Sequence, residues 1–358
     1  MDVGRPAPRA AAAAAAYSSQ DGYAPELLYA TFNQDYGCFA IGTQTGFRIF
    51  NSDPYKEKMR REFKDGGIGI VAMLYRSNYL AFVGGGRNPC FPPNKVMLWD
   101  DASSNIIAEL EFRSDVLNVQ LQRDRIVVVL RNKCIVCSLE AKPRHLHAFE
   151  TADNDRGAMA ISGASDAGIL AFPGRQKGHI QIVDLHSALA VSADGTMVAS
   201  ASEKGTLIRI FDTMSGRLVH ELRRGVDRAD IYSIAFSPDN TRLCVSSDKG
   251  TVHIFNLDSK DPAAQQCSPA PASASASASA AGNRQSNFKF MKDLLPKYFS
   301  SEWSFAHFRV ANEVRCICGF GNERNSVIVL CADGTAQKYS FDSYRGNCVR
   351  EWYRKFID

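Results

Sequence analysis

Two adjacent arginines, Arg223 and Arg224, stand between two turns rich in hydroxyl side chains. The turn before them carries Ser200, Ser202, Thr206 and Arg209, and the turn after them carries Ser246, Ser247, Thr251 and His253. A guanidinium forks onto a phosphate through two parallel N–H donors, and hydroxyls add neutral hydrogen bonds around it. Residues of these types therefore suit a phosphomonoester. Neighbouring side chains in an extended segment point to opposite faces, so the two arginines could serve two separate pockets. The plainer alternative is a pair of solvated arginines in a basic stretch that also holds Arg217 and Arg228. His253 by itself reads as an ordinary strand residue.

The elements that must hold these residues are repeats. Ser202–Phe211 recurs as Ser247–Phe255, with Leu207 as one extra residue, and Ala332–Thr335 begins a fainter copy. Each copy opens with an Asp/Glu-Lys-Gly-Thr or Asp-Gly-Thr turn. A run of β-branched and aromatic residues follows, which suits a strand. Seven such runs end near Asn51, Asp100, Leu139, Asp184, Asp212, Asn256 and Phe341. Most spacings approach the roughly 40–45 residues of a propeller blade. The pattern predicts an all-β fold, a seven-bladed β-propeller with WD-like repeats. Leu27–Phe32 is expected to complete the last blade and so remove a free sheet edge.

Two intervals depart from the repeat. Ile180 and Ile208 are only about 28 residues apart, so one blade is read as shortened, by about 16 residues against the usual length. Val252 and Ala336 are about 84 residues apart. That excess includes the Ala/Ser run Pro269–Ala281, which cannot build a core. The expected organisation is an Ala-rich disordered tail over residues 1–24, then a propeller over 25–358. A long low-complexity and amphipathic loop interrupts it at about 258–300.

Several function classes find no support. The formal net charge of +4 over 358 residues is too weak to imply nucleic acid, although a basic patch facing an anionic membrane fits it. Gly84-Gly85-Gly86 lacks the Gly-Lys-Ser/Thr of a phosphate-binding loop. No nucleophile elbow and no metal-ligand spacing occur, so neither an enzyme, a metal nor a cofactor is expected. The ten cysteines are scattered. Cys134/Cys137 and Cys316/Cys318 lie in strand-like apolar runs, where reduced buried thiols are expected. No stretch approaches the roughly 20 apolar residues of a membrane span.

Leu222-Arg223-Arg224-Gly225, then Ile231-Tyr232-Ser233, then Ser246–Phe255 resembles the signature of the PROPPINs, β-propellers that bind polyphosphoinositides. These include autophagy-related protein 18 and the WIPI proteins. Phe32–Asp35, Tyr79–Gly86, Pro92–Asp101 and Arg123–Leu130 look similar to the same family, and to its branch nearest WIPI three and four. The resemblance implies an effector that binds phosphatidylinositol 3-phosphate and phosphatidylinositol 3,5-bisphosphate and recruits autophagy machinery to forming autophagosomal membranes. It implies one headgroup site of Arg223 with Ser200, Ser202, Thr206 and Arg209. A second would be Arg224 with Ser246, Ser247, Thr251 and His253, with Leu222 and Gly225 framing the pair. It also implies a loop that inserts into the bilayer. Phe288, Phe290, Met291, Leu294 and Leu295, interleaved with lysines, fit a membrane interface. Equally, Leu294–Phe299 can begin the next strand and pack on the propeller. The implied partners are phosphoinositide membranes and an autophagy-related protein 2 type lipid-transfer protein meeting the early blades near Cys90–Asn94. The implied location is cytoplasmic, peripheral on preautophagosomal, endosomal or vacuolar membranes. A WD-repeat-like protein scaffold without lipid binding is the competing reading, because fold alone does not set function.

The chain departs from the family's pattern beside the first site. Leu185 runs almost directly into His186–Ser192, where relatives carry a longer linker and a strand. His186 would have to replace a family histidine there, and the second site is the better preserved.

Overall fold

The computed structural model describes residues 26–357, apart from 65, 163–168, 185–194, 203, 258–301, 312–313 and 344. The expected tail and the bulk of the long loop, with Phe288, Phe290, Met291, Leu294, Leu295 and His186, lie outside the described residues.

The described residues form seven sheets that follow one another along the chain. The first holds β1 (Leu27–Phe32), β2 (Cys38–Thr43), β3 (Gly46–Asn51) and β4 (Lys56–Glu62). The second holds β5 (Ile68–Met73), β6 (Tyr79–Gly84), β7 (Lys95–Asp100) and β8 (Asn105–Glu111), and the third β9 (Asn118–Leu121), β10 (Arg125–Leu130), β11 (Lys133–Ser138) and β12 (His145–Glu150). The fourth has three strands, β13 (Ala160–Ile161), β14 (Ile169–Pro173) and β15 (Ile180–Asp184). The fifth joins β16 (Met197–Ala201), β17 (Leu207–Asp212) and β18 (Leu218–Arg223) to a short β22 (Glu302–Trp303). The sixth joins β19 (Ile231–Phe236), β20 (Arg242–Ser247) and β21 (Thr251–Asn256) to β23 (Ala306–Arg309). The seventh holds β24 (Cys316–Phe320), β25 (Ser326–Cys331), β26 (Thr335–Phe341) and β27 (Cys348–Lys355). This is the seven-bladed propeller expected from the repeats.

The second strands are apolar and buried, as in Arg125–Leu130 and Ser326–Cys331, whereas outer strands such as Lys56–Glu62 alternate in exposure. A strand buried on both faces reads as a continuous hydrophobic run, and one at the rim alternates. Apolar clusters fill the space between successive sheets, so the core is divided among the interfaces. The interface between the fourth and fifth sheets has the smallest of these, with Ile169, Ala171 and Val198 as its buried members. Here the shortened blade takes shape. Among the described residues the fourth sheet lacks an outer strand, and the fifth begins at Met197 without an inner strand preceding β16.

The expected role of Leu27–Phe32 is corrected. β1 pairs with β2 as the innermost strand of the first sheet, and the last sheet draws all four strands from its own stretch. The hairpin Phe32–Cys38 makes the local pairing short, with Asn33 N donating to Cys38 O at 2.9 Å. The first and last sheets therefore meet through side chains. Phe39, Phe50 and Ile41 pack on Ile328, Leu330 and Phe356. Lys338 Nζ, in a side chain only 4% exposed, lies 2.7 Å from Asp53 Oδ2, 2.8 Å from Glu323 Oε2 and 2.9 Å from Glu351 Oε2.

Candidate phosphate-binding site

The turn that opens β17 is built around Gly205, which has φ +61° and donates its N–H to Ser202 O at 2.7 Å. A left-handed residue of this kind favours glycine. A Cβ there would also lie 1.8 Å from Ala229 O, so the turn and the segment after β18 are in close contact. Arg224 is fastened across this junction. Its N–H donates to Thr206 O at 3.0 Å, Nε to Gly205 O at 2.8 Å, and Nη2 to Asp227 O at 2.5 Å. Burial lowers its pKa from the ordinary arginine value, against the opposing pull of Asp248 and Asp227.

Arg223 and Arg224 serve opposite faces of the fifth sheet, as strand alternation requires. Arg223 pairs with Leu207 and places its guanidinium 6.0 Å from the Trp303 ring. Leu222, one residue earlier, is fully buried among Leu243, Val245 and Phe255 of the sixth sheet. Arg224 continues that sixth-sheet side. There it lines a cavity of about 610 Å³ together with Gly225, Val226, Asp227, Lys249, Thr251 and His253.

The opposite wall is a tile of four side chains on two strands. Thr251 pairs with Arg309, and His253 pairs with His307, across the β21–β23 ladder. Partners in register project on the same face, and all four line the cavity. His253 Nε2 contacts Thr251 Oγ1 at 3.2 Å, and Nδ1 contacts Ser304 Oγ at 3.1 Å. Burial, then Arg224 and then His307, push the His253 pKa down to about 3. Lys249 stands at the rim, its Nζ 3.2 Å from Asp248 Oδ2. Burial of a cationic group away from water is tolerated where an anion can meet it. Among the described residues the cavity lining presents Arg224, Lys249 and Arg309 with one carboxylate, Asp227.

Of the residues expected here, Arg224, Gly225, Thr251 and His253 come together. Ser246 does not. It pairs with Val252, on the strand face that packs against the seventh sheet, and its Oγ donates to Cys316 O at 2.8 Å. One step of strand parity sends it into the core. Ser247 returns to the His253 side but is fully buried, and its Oγ has no hydrogen-bond partner among the described residues. His307 and Arg309 were missed because they follow the long intervening segment. The alternation His307-Phe308-Arg309 in a short strand was the available signal.

The residues grouped with Arg223 are arranged differently. Ser200 and Arg209 are cross-strand partners, on the face that carries Val198 against the fourth sheet. Arg209 Nε donates to Glu221 Oε2 at 3.1 Å. Ser202 Oγ accepts from Leu207 N at 3.2 Å, and Thr206 lends its carbonyl to Arg224. Ser200, Arg209 and Arg223 thus share a face, but beside the sheet that has no outer strand among the described residues.

The cysteines of β11 are packing residues. Cys134 and Cys137 are buried in β11, and burial pushes their pKa values up to about 12 and about 11. Thiols held neutral in this way are poor nucleophiles and poor metal ligands.

The PROPPIN family model matches residues 27–349. The chain belongs to the PROPPIN family. It is 39% identical over 358 residues to SVP1-like protein 2 of Pichia angusta, covering 93% of this chain and 96% of that one. It is 34% identical over 349 residues to autophagy-related protein 18e of Arabidopsis thaliana, covering 93% and 88%. The structure of Kluyveromyces lactis Hsv2 matches with a TM-score of 0.70 at 22% identity, over 92% of this chain and 99% of that one. This PROPPIN therefore shares its fold with Hsv2 and its family with phosphoinositide-binding autophagy propellers. No helix among the described residues is long and apolar enough to cross a membrane.

Proposed function

We propose that this PROPPIN binds phosphatidylinositol 3-phosphate and phosphatidylinositol 3,5-bisphosphate and recruits autophagy machinery to forming autophagosomal membranes. One observation carries the reading. Arg224 is clamped by two backbone carbonyls at the wall of a cavity whose opposite wall is the Thr251–Arg309 and His253–His307 tile. A fixed guanidinium loses little freedom on meeting a phosphate, and hydroxyl and imidazole groups complete the hydrogen bonding.

Arg223, with Ser200, Ser202, Thr206 and Arg209, would supply a second and weaker headgroup contact. Phe288, Phe290, Met291, Leu294 and Leu295 would add insertion into the bilayer. Contacts joined on one rigid body multiply through effective concentration. The early blades near Cys90–Asn94 would meet an autophagy-related protein 2 type lipid-transfer protein, with the complex peripheral on preautophagosomal, endosomal or vacuolar membranes. The test is flotation with liposomes containing phosphatidylinositol 3-phosphate. Arg224→Thr should lose most binding, Arg223→Thr less, and the double variant all of it. A double variant that still floats with the vesicles leaves the scaffold reading in place.

A further inference from the structure

The cavity wall holds a stacked pair of imidazoles on two strands. The His253 and His307 rings lie 5.7 Å apart and are inclined by 20°. His253 is deep and contacts hydroxyls at both ring nitrogens, while His307 is exposed at the rim. Charged groups face the pair from each neighbouring element. Arg224 and Asp227 come from the segment after β18, Lys249 with its partner Asp248 from the β20–β21 turn, and Arg309 from β23.

Arg224, Lys249 and Arg309 face the pair against the carboxylates of Asp227 and Asp248, and burial with Arg224 opposes a charge on the His253 ring. Two stacked imidazolium ions would also repel each other. A phosphomonoester brings close to two negative charges near neutral pH and reverses that balance. We infer that anion capture in this cavity is coupled to uptake of solvent protons by the His253–His307 pair, so that binding tightens as the pH falls. The inference rests on the reading of the cavity as a phosphomonoester site. Burial and Arg224 oppose a charge on His253, while His307 is exposed at the rim, so the proton enters from the solvent side of the pair. The pair thereby becomes a binding element whose charge appears when the ligand does.

The experiment is calorimetric titration of the full chain with phosphatidylcholine vesicles containing phosphatidylinositol 3-phosphate. It is run at about pH 6.5 and about pH 8, above the ~6 second ionisation of the phosphate, in two buffers of different ionisation heat. The chain should bind about fivefold tighter at the lower pH, the scale set by a histidine whose pKa rises by one to two units. The heats in the two buffers should differ by the ionisation of roughly half a proton at the lower pH, because an ordinary imidazole is already about half protonated there. His307→Asn should still bind at the higher pH but lose both effects. Tight binding with equal heats in the two buffers, or a His307→Asn variant that keeps both effects, overturns the proton coupling. Absence of binding by the unaltered chain overturns the phosphomonoester reading itself, and the coupling with it.

Discussion

Gly205 accepts a hydrogen bond from Arg224 Nε at 2.8 Å, while the place of a Cβ on Gly205 lies 1.8 Å from Ala229 O. The same glycine therefore holds the guanidinium and allows the following segment to close over it. Gly205→Ala must move either the turn or the Arg224–Ala229 segment. At φ +61° the added methyl costs about 1 kcal/mol in backbone strain alone. Liposome binding by this variant should fall nearly as far as in Arg224→Thr, with circular dichroism still reporting a folded β protein. Unchanged vesicle affinity would mean that the clamp does not position the arginine.

Ser246 and Thr251 should separate packing from binding. Ser246 Oγ serves Cys316 O, whereas Thr251 lines the cavity. Ser246→Ala leaves a buried carbonyl without that donor and should cost about 1–2 kcal/mol in denaturant unfolding, with headgroup affinity retained. Thr251→Val should do the reverse. Equal loss of affinity in both variants would remove the distinction drawn from strand parity.

Lys338 closes the ring where no strand crosses from first sheet to last. Its ammonium meets Asp53 of the first sheet and Glu323 and Glu351 of the seventh. Lys338→Met would leave three carboxylates gathered without their cation and should destabilise the fold by about 3 kcal/mol, the scale for breaking a buried pair. An unfolding midpoint within error of the unaltered chain would show that the apolar contacts of Phe356 and Phe39 suffice.

The same latch has a defined pH signature. The hydrogen bond from Lys338 holds the Glu351 pKa below its ordinary 4.5. A carboxylate with a depressed folded value stabilises the fold above its unfolded pKa and loses that contribution as the pH falls through the folded one. Thermal midpoints should therefore drop below about pH 4.5, and drop less steeply in Lys338→Met. Burial lowers the Lys338 pKa, but its three carboxylates raise it by more in sum, so the net shift is upward. Its contribution is thus complete at neutral pH and is lost only in strong alkali.

His253 adds a second acid-side term of independent origin. Its pKa of about 3, against the ordinary 6.5, means that the unfolded chain takes up a proton the folded chain refuses. Stability should decline as the pH falls from 6.5 towards 3, and His253→Gln should flatten that part of the profile. In nuclear magnetic resonance the free protein's His253 ring should stay neutral from about pH 5 to about pH 8, where an unperturbed histidine titrates.

Much of this was legible because it is local. The Asp/Glu-Lys-Gly-Thr turns announce themselves by residue type, and the strands after them by alternation. Leu222, Arg223 and Arg224 occupy successive positions in one extended segment, so their division between two faces needed only the pleat. The departure of Ser246 from the cavity follows from the same period, counted from the observed register Ser246↔Val252. An assignment by motif position had no register to count from.

Sequence alone determined the seven-sheet repeat, the missing length near Leu185–Ser200 and the opposed arginines, because these depend on turn chemistry and on a two-residue period. Tertiary structure decided what faces Arg224. His307 and Arg309 reach the cavity only because β23 pairs with β21 across more than 40 intervening residues that include 258–301. It also decided how the ring closes, through Lys338 and Phe356 rather than a borrowed strand. Pairing between distant strands depends on complementary faces meeting in space, and no period along the chain records which strands those will be.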